Sequence, residues 1–364
     1  MKKRVLFASL AAYPLFNRKI HEPFCGAELD LYTIATHLDT SKFDVHFLVA
    51  DYGQPLKETY SGITVHRGQK ISNSGMLRGI LNFLRIFLVV WRVRPDSIFS
   101  EATGWLTVEL ILLKTLFRKK FIFRSAHENN INGFTDTRPY GKLYRRFMPR
   151  IDHFLLQNNQ DISILQSTFG YTGKMSVVRN LQEIPKDIPL PQEKRAHILW
   201  VGRSEKIKDP ELFLKLSLLL PQKKFVMIMP NLNENVFRDI ASKARAIPNL
   251  TFIPGVPRDA VLPYFKEALY FVSTSIKEGF PNVLVEAMKY GTPILSARLD
   301  YDNILSEKNC GTITGDSAEE IASCIESMSK DTWETYSQNA RAFALNNFNV
   351  SKGIHDYERL FLQI

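Results

Sequence analysis

Ten short runs of β-branched and aromatic residues, separated by stretches of helical length, constrain this 364-residue chain more than any other feature. RVLFASL (4–10), DVHFLVA (44–50), SIFSEA (97–102), KFIFRSA (120–126) and HFLLQNN (153–159) read as buried strands of a parallel sheet, because their apolar residues run on instead of alternating. ELDLYTIATHL and GILNFLRIFLVVW, which lie between such runs, keep a helical period. The pattern stops at RNLQEIPKDIPLPQEKRAH (179–197), where three prolines and many charges mark a linker. It restarts with HILWVG (197–202), KFVMIM (224–229), LTFIPG (250–255), LYFVSTS (269–275) and PILSA (293–297). Strand and helix in repeated alternation predict an α/β fold with two open, doubly wound parallel sheets. The expected domains are 1–180 and 181–345, with a closing helix over 346–364. Ligands of such folds bind beyond the carboxyl ends of the strands, here in a cleft between the two domains.

Composition excludes several classes. The three cysteines, Cys25, Cys310 and Cys324, form no CxxC pair and no metal-ligand spacing, which fits a reducing cytoplasm. The basic MKKR start is followed by too short an apolar run for a signal segment. No uncharged apolar run reaches the ~18 residues of a membrane span; the nearest, Gly79 to Trp91, contains Arg85. Charge is uneven. Residues 1–180 carry 25 Lys+Arg against 14 Asp+Glu, whereas residues 181–364 carry 22 against 23. Arg78, Arg85 and Arg92 recur every seven residues beside a wide apolar face. That stretch reads either as a face that meets an anionic membrane surface or as a helix packed on the sheet with its arginines reaching outward. No recognition helix, RNA-binding signature or zinc pattern accompanies the basic half, so nucleic acid is not an expected partner.

The stretch KEGFPNVLVEAMKYGTPI (277–294) carries the most chemistry. Pro281 suits the first helical position and Gly291 a helix stop, which predicts a helix from Asn282 to about Tyr290. Its first amides, near Asn282, Val283 and Leu284, form an anion site beyond strand 269–275. Gly279 lets backbone approach a ligand closely. Glu286 then sits about one turn past the phosphate-binding end, on one side of the bound anion, and Glu278, in the loop, on the other. A diphosphate flanked by two hydroxyl-rich rings matches that layout, because carboxylates accept pairs of hydroxyl hydrogen bonds.

EGFPNVLVEAM resembles the E-x7-E motif of retaining GT-B glycosyltransferases of family 4. Further stretches resemble the same family in the expected order. WVGRSEKIKDPELFL (200–214) is similar to its strand-end Gly-Arg with a following Lys, here Gly202, Arg203 and Lys208. PFCGAELDLYTIATHL (23–38) resembles its Gly-rich loop and helix, with Gly26 and Glu28 kept and Cys25 where a glycine is usual. FRSAHENNING (123–133) delivers His127 at a strand end, where the family places a histidine near the reacting carbon. PGVPRDAVLPYF (254–265) resembles the segment whose backbone, near Val256 and Pro257, touches the base. Arg179-Asn180 resembles a strand-end pair before the linker, and the long 11–24 stretch is expected to line the acceptor side. The resemblance implies a GT-B fold, two Rossmann-like domains facing each other across a cleft, with the last helix crossing back to the first.

It also implies transfer of a sugar, with retention, from a UDP- or GDP-sugar to a saccharide or lipid-linked saccharide acceptor. The catalytic group would be His127, Glu278, Arg203 and Lys208. Gly26, Gly202, Val256, Gly279, Phe280, Pro281, Asn282, Val283, Leu284 and Glu286 would bind substrate. No metal and no cofactor is implied beyond the donor: Arg203 and Lys208 meet the leaving diphosphate, where negative charge grows in the transition state. The expected setting is bacterial surface polysaccharide, O-antigen or glycolipid synthesis, in the cytoplasm or on the inner membrane face. The competing readings are a sugar-nucleotide epimerase of the same fold, a hydrolase with paired carboxylates, and a basic nucleic-acid-binding module.

Overall fold

The computed structural model describes residues 2–20, 22, 26–69, 76–101, 103–278 and 280–364; at 76–78 and 258 only the backbone is described. The chain divides into two compact units, Met1–Gln182 joined by Val350–Ile364, and Glu183–Asn349.

The first unit is built on strands β1 (Lys3–Ala8), β2 (Phe43–Val49), β3 (Lys57–Tyr60), β4 (Ile63–Arg67), β5 (Ser97–Glu101), β6 (Lys120–Arg124), β7 (His153–Leu156) and β8 (Lys174–Val177). Their order is β3-β4-β2-β1-β5-β6-β7-β8. Neighbours are parallel except β3 and β4, a hairpin on the sheet edge. Ser61 and Gly62 both take positive φ there, 46° and 85°, as a two-residue hairpin turn requires. Inner strands such as β5 and β7 are buried at every residue, so they carry apolar side chains to both faces.

The stretch 11–24, expected as a long loop, is partly helical. Leu10–Ala12 forms a 3₁₀ turn and Tyr13–Phe16 a helical turn, and the buried Tyr13 hydroxyl donates to Glu58 at 2.9 Å. The helix Val350–Gln363 closes one face of this sheet. Val350, Ile354, Tyr357 and Phe361 lie at helical spacing and are all buried; the Phe361 ring sits 5.9 Å from Phe7 and 5.6 Å from Phe99. Burying each such side chain is worth roughly 1.5–3 kcal/mol. The Asp39 N–H donates to the buried Glu358 carboxylate at 3.0 Å, fixing the helix against the turn before β2.

The second unit is built on β9 (His197–Val201), β10 (Phe225–Ile228), β11 (Leu250–Ile253), β12 (Ala268–Ser273), β13 (Ile294–Ser296) and β14 (Gly311–Ile313). Their order is β11-β10-β9-β12-β13-β14, and every neighbouring pair is parallel. Chain order therefore reverses between β9 and β12, which parts the connections to opposite faces and leaves a crevice at the strand ends. Two apolar clusters, one on each face, cover the sheet.

Candidate functional site

The crevice between β9 and β12 gathers most of the chemistry-bearing residues of the second unit. Gly202 follows β9 because a side chain there would meet the Trp200 ring at 2.7 Å. The Trp200 indole N–H donates to the Thr274 hydroxyl at 2.8 Å, and that hydroxyl donates to the Lys208 carbonyl at 2.6 Å. The Ile276 N–H adds a bond to the Ile207 carbonyl at 2.9 Å. Arg298 braces the same corner through the Thr274 carbonyl at 2.7 Å and Asp209 at 2.9 Å. The loop after β9 is thus pinned to the end of β12, and Lys208 is carried to Glu278.

Those two side chains form an ion pair, Lys208 Nζ to Glu278 Oε1, with only 13% and 12% of their side-chain surfaces exposed. The Ser275 hydroxyl donates to the same carboxylate oxygen at 2.9 Å. Burial pushes the Lys208 ammonium down to about 8, and the Arg203 cation adds to the push. The Glu205 carboxylate works in the opposite sense, and at about 8 the ammonium is still mostly protonated at neutral pH. Arg203 is half exposed and pairs with Glu205 at 3.0 Å. A narrow recess of about 10 Å³, lined by Lys208, Ser275, Glu278, Pro281 and Val283 among others, sits between these groups.

The helix Asn282–Lys289 begins at that recess and ends before Gly291, whose φ of +63° needs glycine. Pro281 is the residue before the helix and not its first member, and the Leu284 N–H turns back to the Pro281 carbonyl at 3.0 Å. The anion-facing end is therefore shorter than the sequence suggests: the Leu284 amide is used within the first turn. The side chains of Leu284 and Phe280 belong to the apolar core, with the Phe280 ring 5.3 Å from Phe348. They shape the loop from behind. Gly279 lies outside the described residues.

Glu286 stands one turn into this helix, and it is buried. Its carboxylate is ion-paired with Lys289, three residues on and buried as well. Lys289 was not singled out in the sequence, although its i, i+3 spacing from Glu286 is visible there. Val256 follows β11 and is partly exposed; three strand spacings, about 14 Å, separate β11 from β12. It is not brought against Lys208 and Glu278.

The remaining candidates lie in the first unit. Gly26 opens the helix Gly26–His37 and is exposed, and Glu28 in its first turn accepts from the Ser9 hydroxyl at 3.3 Å. His127 follows β6. Its N–H and that of Ala126 donate to Asn130 Oδ1 at 3.0 and 2.9 Å, and its Nδ1 accepts from the Asn129 N–H at 3.0 Å. A ring that accepts at Nδ1 carries its proton on Nε2 when neutral, where it can donate to a ligand oxygen.

Beneath His127 lies a buried charge cluster that the sequence reading missed. Arg124, fully buried, donates to Asp30 at 2.9 Å, to Glu101 at 2.7 Å and to Asn180 Oδ1. Burial raises the Glu101 carboxyl, with Arg124 pulling the other way. A cation inside the apolar run FIFRSA was the available signal.

With this geometry in place, comparison with known proteins bears first on the second unit. Residues 182–343 match the family model for glycosyl transferases group 1. That match spans nearly all of the second unit. A protein in the cps region of Klebsiella pneumoniae, itself uncharacterised, is 22% identical over 326 residues, 82% of this chain and 88% of the relative. Among solved structures, sucrose-phosphate synthase of Thermosynechococcus elongatus superposes with a TM-score of 0.79 at 14% identity, covering 100% of this chain and 99% of that one. Anabaena HepE in complex with UDP and glucose gives 0.73 at 16% identity, covering 99% of each chain. The whole chain thus has the GT-B fold of two Rossmann-like domains, with a crevice where chain order reverses in the second sheet. Among the described residues, no helix is long and apolar enough to cross a membrane.

Proposed function

We propose that this glycosyltransferase moves a sugar, with retention of anomeric configuration, from a UDP- or GDP-sugar to a hydroxyl of a saccharide or lipid-linked saccharide in bacterial surface polysaccharide synthesis. The observation that carries the reading is the Lys208–Glu278 pair at the start of the helix Asn282–Lys289. The loop that carries the cation is pinned to the end of β12, and the helix start beside it favours anions. A donor diphosphate entering here takes over the ammonium, which frees Glu278 to face the sugar.

The reaction then breaks the bond between C1 and the diphosphate oxygen and forms one between C1 and the acceptor oxygen. The acceptor proton passes to the departing phosphate on the same face. Lys208 and Arg203 meet the charge growing on the diphosphate, in place of a metal ion. Glu278 stabilises positive charge at the ring, and His127 Nε2 donates to a sugar hydroxyl. Glu286, fixed by Lys289, accepts the ribose hydroxyls. The complex of HepE with UDP and glucose, and the Klebsiella relative's place in a cps region, support the donor class and the setting.

The helix Met76–Val93 supports a peripheral membrane contact. Ile86, Val90 and Val93 are buried on the sheet, while Ile80, Leu81, Leu84, Leu88 and Trp91 are exposed on the other side next to Arg85 and Arg92. Arg78 falls where side chains are not described. An exposed apolar face with arginines, in the half that holds 25 Lys+Arg against 14 Asp+Glu, fits an anionic bilayer surface.

The test is a panel of UDP- and GDP-sugars with saccharide acceptors, read by product mass and by release of nucleoside diphosphate. Product heavier by one sugar, formed only when acceptor is present, is the expected result. Release of diphosphate at the same rate without acceptor would favour the hydrolase or epimerase reading and sink this one.

A further inference from the structure

The first unit holds a cavity that none of the roles above uses. It is open, about 470 Å³, and lies beyond the ends of β5 and β6, within the size range of small-molecule sites. Trp105 and Phe134 on its wall are 50% and 42% exposed. Trp105 meets the Tyr140 ring edge-on at 6.2 Å, and the Arg138 guanidinium lies over the Phe134 ring at 4.9 Å. Polar groups complete the wall. The Tyr140 hydroxyl donates to Thr103 Oγ1 at 3.4 Å, and Asn129 lines the same wall.

The wall is braced before any ligand arrives. Asn130 donates to Thr103 at 3.1 Å, the Phe134 N–H donates to Asn132 at 3.1 Å, and Arg145 holds Asp136 through its Nε at 3.0 Å. Gly141 lies so close to this loop that a side chain there would meet the Thr135 carbonyl at 2.1 Å. Large aromatics held half in water by a rigid loop are costly unless something covers them. Aromatic faces suit the C–H faces of a sugar ring, while amides and hydroxyls suit its hydroxyl groups. Arg138 forms no ion pair among the described residues, and its planar fork suits a carboxylate or phosphate. The helix Trp105–Leu116 starts at this wall and exposes Leu112 and Leu116 at i+7 and i+11 from Trp105, on the same side. An apolar track therefore leaves the cavity along that helix.

We infer that this cavity is the acceptor subsite and takes an anionic saccharide: a sugar ring stacked on Trp105 and Tyr140, with a carboxylate or phosphate substituent on Arg138. The assignment rests on the glycosyltransferase reading above and names the acceptor class that reading leaves open.

The test uses the full chain and three probes, glucuronic acid, glucose 1-phosphate and glucose, each followed by saturation-transfer NMR. Both acidic sugars are expected to bind at least fivefold more tightly than glucose. The tighter of the two tells a carboxylate-bearing from a phosphate-bearing acceptor. Arg138→Met should erase the preference for the acidic sugars while ring binding persists, and Trp105→Ala should weaken all three about tenfold. Thermal melts of both variants confirm that they fold. Equal affinity for all three probes, or no saturable binding by any, overturns the assignment. UDP and GDP titrated into separate samples of unmodified protein test the donor reading independently: nucleotide binding without sugar binding sinks only the acceptor assignment, and the reverse sinks only the donor reading.

Discussion

Each unit carries a cation clasped by carboxylate near its strand ends, but the two clusters differ in access. In the first unit Arg124 is sealed, shared among Asp30, Glu101 and Asn180, and it ties the helix Gly26–His37 to β5, β6 and the segment after β8. In the second unit Lys208 and Glu278 are one cation and one anion with part of each still reachable. A sealed cluster with several partners holds elements together, because removing one charge leaves others stranded in low dielectric. A reachable pair can trade its partner for a charged ligand. The first cluster is built to hold elements together; the second, under the function proposed above, exchanges partners.

Four experiments bear on that contrast, beginning with the largest expected effect. Arg124→Met should destabilise the protein by about 3–5 kcal/mol, read by chemical denaturation, because two buried carboxylates lose their cation. Lys208→Met should leave the unfolding midpoint almost unchanged and lower kcat by about 10²–10³-fold, the usual cost of losing a preorganised charge at a leaving group. If Lys208→Met unfolds the chain as Arg124→Met does, the contrast between the two clusters is wrong.

Lys289→Met comes next. It should weaken nucleoside diphosphate binding about tenfold, close to 1.4 kcal/mol, by calorimetry. The double variant with Glu286→Gln should lose little more than either single change, since the two residues act as one unit. Smallest is the pH effect. The Lys208 ammonium is lowered to about 8, so its attraction for phosphate is complete below that pH and fades as pH rises through it. Nucleotide affinity should decline a few-fold between pH 7 and 9 in the native protein, and Lys208→Met should flatten that slope.

The sequence was most legible where one local signal sufficed. Runs such as FVMI and FLVA are buried on both faces, and such strands keep their apolar character whatever lies beside them. Gly291 announced its helix end through the one residue type that tolerates its φ. The hairpin Lys57–Arg67 was missed because KETY, at the sheet edge, buries none of its residues fully and ITVHR beside it buries only Ile63 and Val65. KMSV and GTI were missed because strands of three or four residues leave almost no period to read.

At the site, the residue types of Glu278 and Lys208 were readable from motif spacing. Their union, 70 positions apart, was not, because it depends on β9 and β12 lying side by side. Pro281 was placed one residue too far inside its helix, a difference that cap geometry sets and composition does not. The Arg124 cluster draws on four separate elements, so only its isolated cation could be seen beforehand.

The helix Val350–Gln363 has a consequence for how this protein is born. Its four buried anchors complete the unit that residue 3 begins, so the second unit is an insertion within the first. During synthesis the inserted part can fold as soon as it leaves the ribosome, whereas the earlier-made sheet must wait with one face uncovered until residue 363 has emerged.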